Sequence, residues 1–227
     1  MALDMFHANE IAKALRLLCQ SAVSLTADCD GSATVTVGSN LLFCVGDSVT
    51  LVDDDSAAET RTVQAKAGLT GVTLDSAVSG SFEVAQNARI ALATPRLVDL
   101  KFVLQGALEM LPEPRGDKFP FIIVRPGEMS QPPGEGTNRG YDQTYTFSIY
   151  HVRRYESGEQ PSVEALDDAA ALFNLLMADT YLGGTCWYSQ VTLVDPNDPF
   201  GEKLRSKGLP LTVVRVDVMA RRREALG

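Results

Sequence analysis

The residues of this 227-residue chain that could do chemistry are few and scattered. Cysteines stand at Cys19, Cys29, Cys44 and Cys186, with no C-x-x-C pair, and only His7 and His151 could complete a metal site. Structural zinc needs closely spaced ligands, so this pattern points to reduced thiols and not to a zinc centre. His151 sits in an alternating run. Ile149 and His151 should share one face there and Tyr150 and Val152 the other, which suits a hydrogen-bonded structural histidine better than a general base. The cluster Asp53-Asp54-Asp55 with Glu59 offers oxygens of the kind calcium takes. It lacks the glycine and terminal glutamate of a helix–loop–helix calcium loop, and a solvated hairpin tip is the expected role. Asp195-Pro196-Asn197-Asp198 divides the same way, with prolines that make a stiff loop. No G-x-S-x-G nucleophile elbow, G-x-x-x-x-G-K-[ST] phosphate loop or G-x-G-x-x-G fingerprint occurs. The chain is therefore expected not to be an enzyme, and to need no cofactor and no metal.

Charge narrows the partners. The formal net charge is -9 and the pI about 4.7, while hydrophobic residues make up 45%. Such a chain can bury a core but is poorly suited to wrapping nucleic acid, because phosphate contacts need Lys and Arg. Arg153-Arg154 and Arg221-Arg222-Arg223 are the local exceptions. They could touch DNA phosphates or pair with acidic surfaces on neighbouring subunits. No apolar run approaches the roughly 18 residues that cross a bilayer. The first ten residues lack the basic and apolar regions of a signal peptide, so a place in the cytoplasm of whatever cell makes the chain is expected.

Two kinds of pattern position these residues. Met5 to Gln20 reads as a helix capped by Asp4, with Ile11, Leu15 and Leu18 on one face beside Ala8, Ala12 and Cys19. From Val23 the period falls to two. Ala33–Val37, Ser48–Val52, Arg61–Ala65, Gly71–Leu74 and Ala88–Leu92 alternate between turn-rich stretches, which predicts a small all-β barrel or sandwich over residues 23–94. Pro95 reopens a helical spacing through Leu97, Leu100, Val103, Leu104, Ala107, Leu108 and Leu111. Strands follow at Phe119–Arg125 and Gln143–Val152, a helix near Ser162 to Thr180, and strands at Cys186–Asp195 and Leu211–Ala220. Ser162 should cap that helix, Gly183-Gly184 should end it, and its apolar stripe is Ala165, Leu166, Ala169, Leu172, Phe173, Leu176 and Met177. The predicted fold is α+β: a four-stranded, mostly antiparallel sheet with packed helices. It is formed by residues 1–22 and 95–227 and interrupted by the inserted β module 23–94. Two connections are too long for turns, Pro126 to Tyr141 and the stretch after Asp195.

The order helix, strand, long loop, strand, helix, strand, strand over Pro95 to Arg223 resembles the tail terminator (tail completion) proteins of long-tailed bacteriophages. Leu97–Leu111, Phe119–Val124, Tyr145–Tyr150, Val163–Met177, Gln190–Val194 and Leu211–Val218 carry the likeness. The inserted β module departs from it. The resemblance implies a structural virion protein of the tail or neck, a homo-oligomer forming a hexameric ring. Such a ring caps the tail tube protein, meets a head-side connector or stopper, and lets DNA pass through its lumen without specific binding or membrane contact. It also implies an intersubunit arm, containing Ser130, Gln131, Pro132, Pro133, Glu135, Asn138 and Arg139, and the length of the second connection makes a partner loop with Asp195, Asn197, Asp198 and Phe200 the companion expectation. The alternatives are another neck protein, a stopper or head-completion protein, or a small enzyme whose site forms between subunits.

Overall fold

The computed structural model describes residues 6–55, 58–97, 100–105, 119–130, 136–137, 140–154, 161–196, 198–199 and 211–225. These form a mixed α+β fold with mostly antiparallel sheets and two helices.

Helix α1, Phe6–Cys19, buries Ile11, Ala12, Leu15, Leu18 and Cys19, the face read from the spacing. The chain then enters a β unit of eight strands: β1 (Ala22–Ser24), β2 (Cys29–Asp30), β3 (Thr34–Thr36), β4 (Ser48–Val52), β5 (Glu59–Ala67), β6 (Gly71–Leu74), β7 (Ser81–Phe82) and β8 (Arg89–Leu92). Six of them run in the order β1-β8-β4-β5-β6-β3, and β2 pairs with β7 apart from them. The Leu25–Val37 bridge and the Thr26 N–H to Thr36 O bond join the last strand to the first. That closes the sheet into a barrel, which removes both open edges. Val49, Leu51, Val63, Val72, Leu74 and Ile90 point inward by strand alternation, around Phe43 and Phe82.

Entry and exit of the barrel lie side by side. Ala22 pairs with Ala91, the Leu92 N–H donates to Ser21 O, and the Arg96 N–H donates to Ser21 Oγ. Neighbouring ends are what allow a module to sit within another unit without disturbing it. The barrel interior is nevertheless continuous with the rest of the core, since its buried residues join those of α1 and of the second sheet in one cluster.

The second sheet differs from its sequence reading in three ways. It contains β9 (Phe102–Gln105), β10 (Phe121–Ser130), β11 (Gly136–Thr137), β12 (Gly140–Arg154), β13 (Tyr188–Asp195) and β14 (Leu211–Ala225), in the order β13-β14-β12-β10-β9 with β11 on β12. First, the expected four-stranded sheet is thus a larger one. Second, the helix expected from Pro95 to Leu111 is overturned where it is described: Phe102–Gln105 is an edge strand, parallel to Phe121–Val124. Its 3–4 spacing of apolar residues also contains the unbroken run Phe102-Val103-Leu104, and pairing with β10 outweighs helix propensity, which is a weak prior. Residues 106–118 lie outside the described set. Third, the connection expected from Pro126 to Tyr141 is largely strand, because β10 continues to Ser130 past a bulge after Pro126 and β12 begins at Gly140. The segment Arg221–Arg223 belongs to β14.

Helix α2, Pro161–Ala178, packs on β13 and β14 and touches α1. Ser162 lies inside the helix, one residue after Pro161, so it is not the cap. The sheet is buried on both faces. Ile122, Val124, Tyr145, Phe147, Ile149, Val214, Val216 and Val218 look toward the helices. Phe121, Ile123, Tyr150, Val152, Leu211 and Val213 form a separate cluster on the other face.

Candidate functional site

The chemistry-bearing residues are mostly engaged within the chain, although His151 Nδ1 and Asp168 Oδ2 make no hydrogen bond. His151 is buried on the helix-facing side with Ile149, and its Nδ1 lies 3.3 Å from Asp168 Oδ2 of α2. Arg153 donates to the other oxygen of that carboxylate at 2.8 Å. Asp168 therefore ties α2 to β12. Burial alone pushes the Cys19 thiol up to about 12, and chiefly burial takes Cys186 to about 12. Cys29 is also raised, mainly by burial. Such thiols remain protonated and inert at neutral pH. Cys44 is exposed, and all four thiols are free.

The acidic cluster does not converge. Asp53 accepts the Asp55 N–H at 3.1 Å, and Asp54 accepts from Asn87 Nδ2 at 2.7 Å. Glu59 points elsewhere, into a clasp made by the Ser79 N–H and hydroxyl, the Gly80 N–H and Arg61. No group of three or more His, Cys, Asp or Glu among the described residues is arranged to hold a metal ion. The Ser79 N–H, with further bonds from its hydroxyl, Gly80 and Arg61, holds the Glu59 carboxyl below its ordinary range. A lowered folded-state value means that the carboxylate contributes stability above the unfolded value, and that this is lost as pH falls through the folded one. Glu59→Gln is accordingly expected to lower the melting temperature at pH 7 and to lower it less at about pH 3. Thermal melts at the two pH values check this, and an equal deficit at both would contradict the clasp.

The residues expected to form an arm and a partner loop are only partly described. Ser130 ends β10 opposite Thr144, whereas Gln131, Pro132, Pro133, Glu135, Asn138 and Arg139 lie outside the described residues. Asp195 ends β13 opposite Arg215. Asp198 is buried, its N–H donating to Val213 O at 3.2 Å. Asn197 and Phe200 lie outside the described set. Arg215, near this loop, donates two hydrogen bonds to Asp217 that hold its guanidinium above the ordinary range, with Tyr150 and Asp198 adding to the field.

Two of the five arginines offered as phosphate contacts are engaged within the chain. Arg153 holds Asp168, and Arg222 donates to Glu10 at 2.6 Å, fastening β14 to α1.

An exposed apolar surface stands out instead. Helix α2 turns Ala165, Ala169, Leu172, Leu175 and Leu176 into the core and leaves Val163, Leu166, Phe173 and Met177 exposed, with Leu166 57% accessible. The single stripe read from the sequence is thus two faces. The outer positions, with Ala170 between them, follow alternating steps of three and four, the spacing of a helix-packing seam. Exposed aromatic residues also follow the helix in sequence. Ser189 donates to Thr180 O through both its N–H and its hydroxyl, which brings Trp187, 53% exposed, beside Tyr181. A second patch lies on β13, where Tyr188 and Leu193 are exposed and sit opposite Arg221 and Asp217. The available signal for the outer face was the width of the apolar arc, since a helix apolar nearly all round is covered on more than one side.

Among the described residues no helix is long and apolar enough to cross a membrane. Comparison with protein-family models and with curated proteins finds no match to this chain.

Proposed function

We propose that this chain is a structural subunit that assembles into a ring at the head–tail junction of a long-tailed bacteriophage, as a tail terminator capping the tail tube and joining it to the head-side connector. The observation that carries the reading is the exposed apolar seam of α2. Val163, Leu166, Phe173, Met177, Tyr181 and Trp187 together expose on the order of 500 Å² of mostly apolar surface, against about 800 Å² per partner in an ordinary protein interface. A surface of that size is at the upper end of what a lone subunit leaves in water and is often functional, and aromatic anchors such as Trp187 and Phe173 are typical of contact centres. Ring closure requires two different patches per subunit, and Tyr188 with Leu193 supplies the second, on another face of the sheet. The acidic net charge suits a lumen through which DNA slides, and the pairing of Arg153 and Arg222 with internal carboxylates removes two candidate brakes.

Size-exclusion chromatography with light scattering tests this. The wild type is expected to show a multi-subunit mass, alone or on purified tail tubes. The doubly substituted Leu166→Glu/Phe173→Glu protein is expected to be monomeric with a melting temperature within a few degrees of the wild type, because both side chains are exposed. A wild type that remains monomeric at high concentration with tail tubes present, or a double variant that assembles unchanged, overturns the reading.

A further inference from the structure

Where α1 meets the barrel, a cleft of about 330 Å³ gathers positive charge in an otherwise acidic chain. Lys13 and Arg16, at i and i+3 of α1, line it together with Gln20 just past the helix end. Arg89 of β8 lines it from the barrel, with Asp54 and Asn87 beside it. The Lys13 ammonium donates to Asn87 Oδ1 at 2.9 Å, Asn87 Nδ2 donates to Asp54 Oδ2 at 2.7 Å, and Arg89 stands 3.8 Å from Asp54 Oδ1. One wall is therefore a connected arc. On the α1 side Arg16 is different. Its guanidinium has no hydrogen-bond or ion-pair partner among the described residues, and its Nε is shut away from solvent without an acceptor. Three cations face a single carboxylate, which leaves two positive charges in a concave site and one guanidinium with nothing to hold.

We propose that this cleft binds a phosphate group. A dianionic phosphate would cancel the excess that one carboxylate cannot. Arginine suits it because the planar guanidinium can present two parallel N–H groups to one oxyanion. Lys13 supplies a second cation from the same helix face, Arg89 a third from the barrel wall, and Gln20 a neutral amide donor. Asp54 then acts as the competitor that the anion displaces from Arg89, and it sets the affinity low. The same phosphate chemistry is offered by a free phosphate compound and by a nucleic-acid backbone. Binding also bridges α1 and the barrel, so it would fix the barrel against the helix on which the second sheet packs. The site does not depend on assembly, because every residue belongs to one chain.

The test uses the full chain labelled with nitrogen-15 and titrated with inorganic phosphate, chloride being exchanged to keep ionic strength constant. Saturable shifts confined to α1 and the Asp54, Asn87 and Arg89 region are expected. Arg16→Gln should weaken binding about tenfold, and Asp54→Asn should tighten it several-fold by removing the competing charge. Opposite signs from two surface substitutions separate a binding site from general damage to the fold, which the unperturbed remainder of each spectrum checks. Shifts that do not saturate, or an Arg16→Gln protein that binds as the wild type does, overturn the proposal. A short DNA duplex then identifies the source. If the duplex displaces phosphate, the ligand is a backbone phosphate, and if phosphate stays bound, it is a small phosphate compound.

Discussion

Gly38→Ala is expected to destabilise the protein by about 3 kcal/mol or more, the overpacking cost of a side chain with nowhere to go. A Cβ at this position would fall 1.7 Å from the carbonyl oxygen and 2.5 Å from the carbonyl carbon of Gly183, both backbone atoms. A rotamer change cannot relieve such a clash, so a chain segment must move. The partner segment is itself fixed. Gly183 and Gly184 have φ of +64° and +83°, the left-handed region that suits glycine. Asp179, fully buried, accepts the Tyr181 and Gly183 N–H groups and holds that turn in place. Position 38 thus lies where the barrel meets the loop between α2 and β13. At this chain length a loss of about 3 kcal/mol lowers the melting temperature by roughly 6–12 °C. Gly31→Ala is the control. Its Cβ would meet nothing within 4 Å, so only the strain of its φ of +59° remains, about 1 kcal/mol. Denaturant melts of the two variants should differ by several-fold in the stability lost. Equal losses would mean that the seam yields easily and that barrel and sheet are joined less closely than their shared core implies.

Local alternation made much of this fold legible, and contacts between distant segments did not. Ser48–Val52 and Gly71–Leu74 are strands with the bounds read from the sequence, because Val and Thr at period two leave little else for a half-buried backbone to do. Closure of the barrel was not readable, since it depends on one bridge between Leu25 and Val37 at strand ends that carry no turn motif. Leu97–Leu111 failed for a different reason. Its leucines fit a helix, yet the Lys101 N–H donates to Pro120 O and the following residues pair with β10. Only a partner strand could have revealed that. The glycines at 38, 183 and 184 could be read as turns, but not as two backbones in contact. The α2 seam was half visible. Its apolar residues were recognised, but dividing them into inner and outer faces required knowing where the sheet lies. The phosphate cleft was invisible because Arg89 is 73 residues from Arg16 along the chain.

The second large effect is expected at Asp168, where the prediction is non-additive. Asp168→Leu removes the carboxylate that accepts from Arg153 and approaches His151, in a site where the Asp168 side chain is only 11% exposed and His151 3%. Breaking a buried pair from one side costs about 3–5 kcal/mol, because the surviving charge stays partly desolvated. Arg153 is one-third exposed and can turn part of its guanidinium to water, so the lower end, about 3 kcal/mol, is expected. Replacing both groups, as Arg153→Met/Asp168→Leu, removes the orphan and places apolar surface between α2 and β12. Such exchanges are close to neutral, so the double variant should lose only about 1 kcal/mol. Asp167→Leu, on the exposed side of the same turn, should change stability by less than about 0.5 kcal/mol. Urea melts of these proteins together with Arg153→Met complete the cycle. A double variant as damaged as the single one would show that Asp168 matters for its shape or for His151, and that the ion pair is not what fastens α2 to the sheet. If the pair is the fastening, losing it also tilts the helix that carries Leu166 and Phe173, so Asp168→Leu should weaken self-association although its own side chain lies on the inner face.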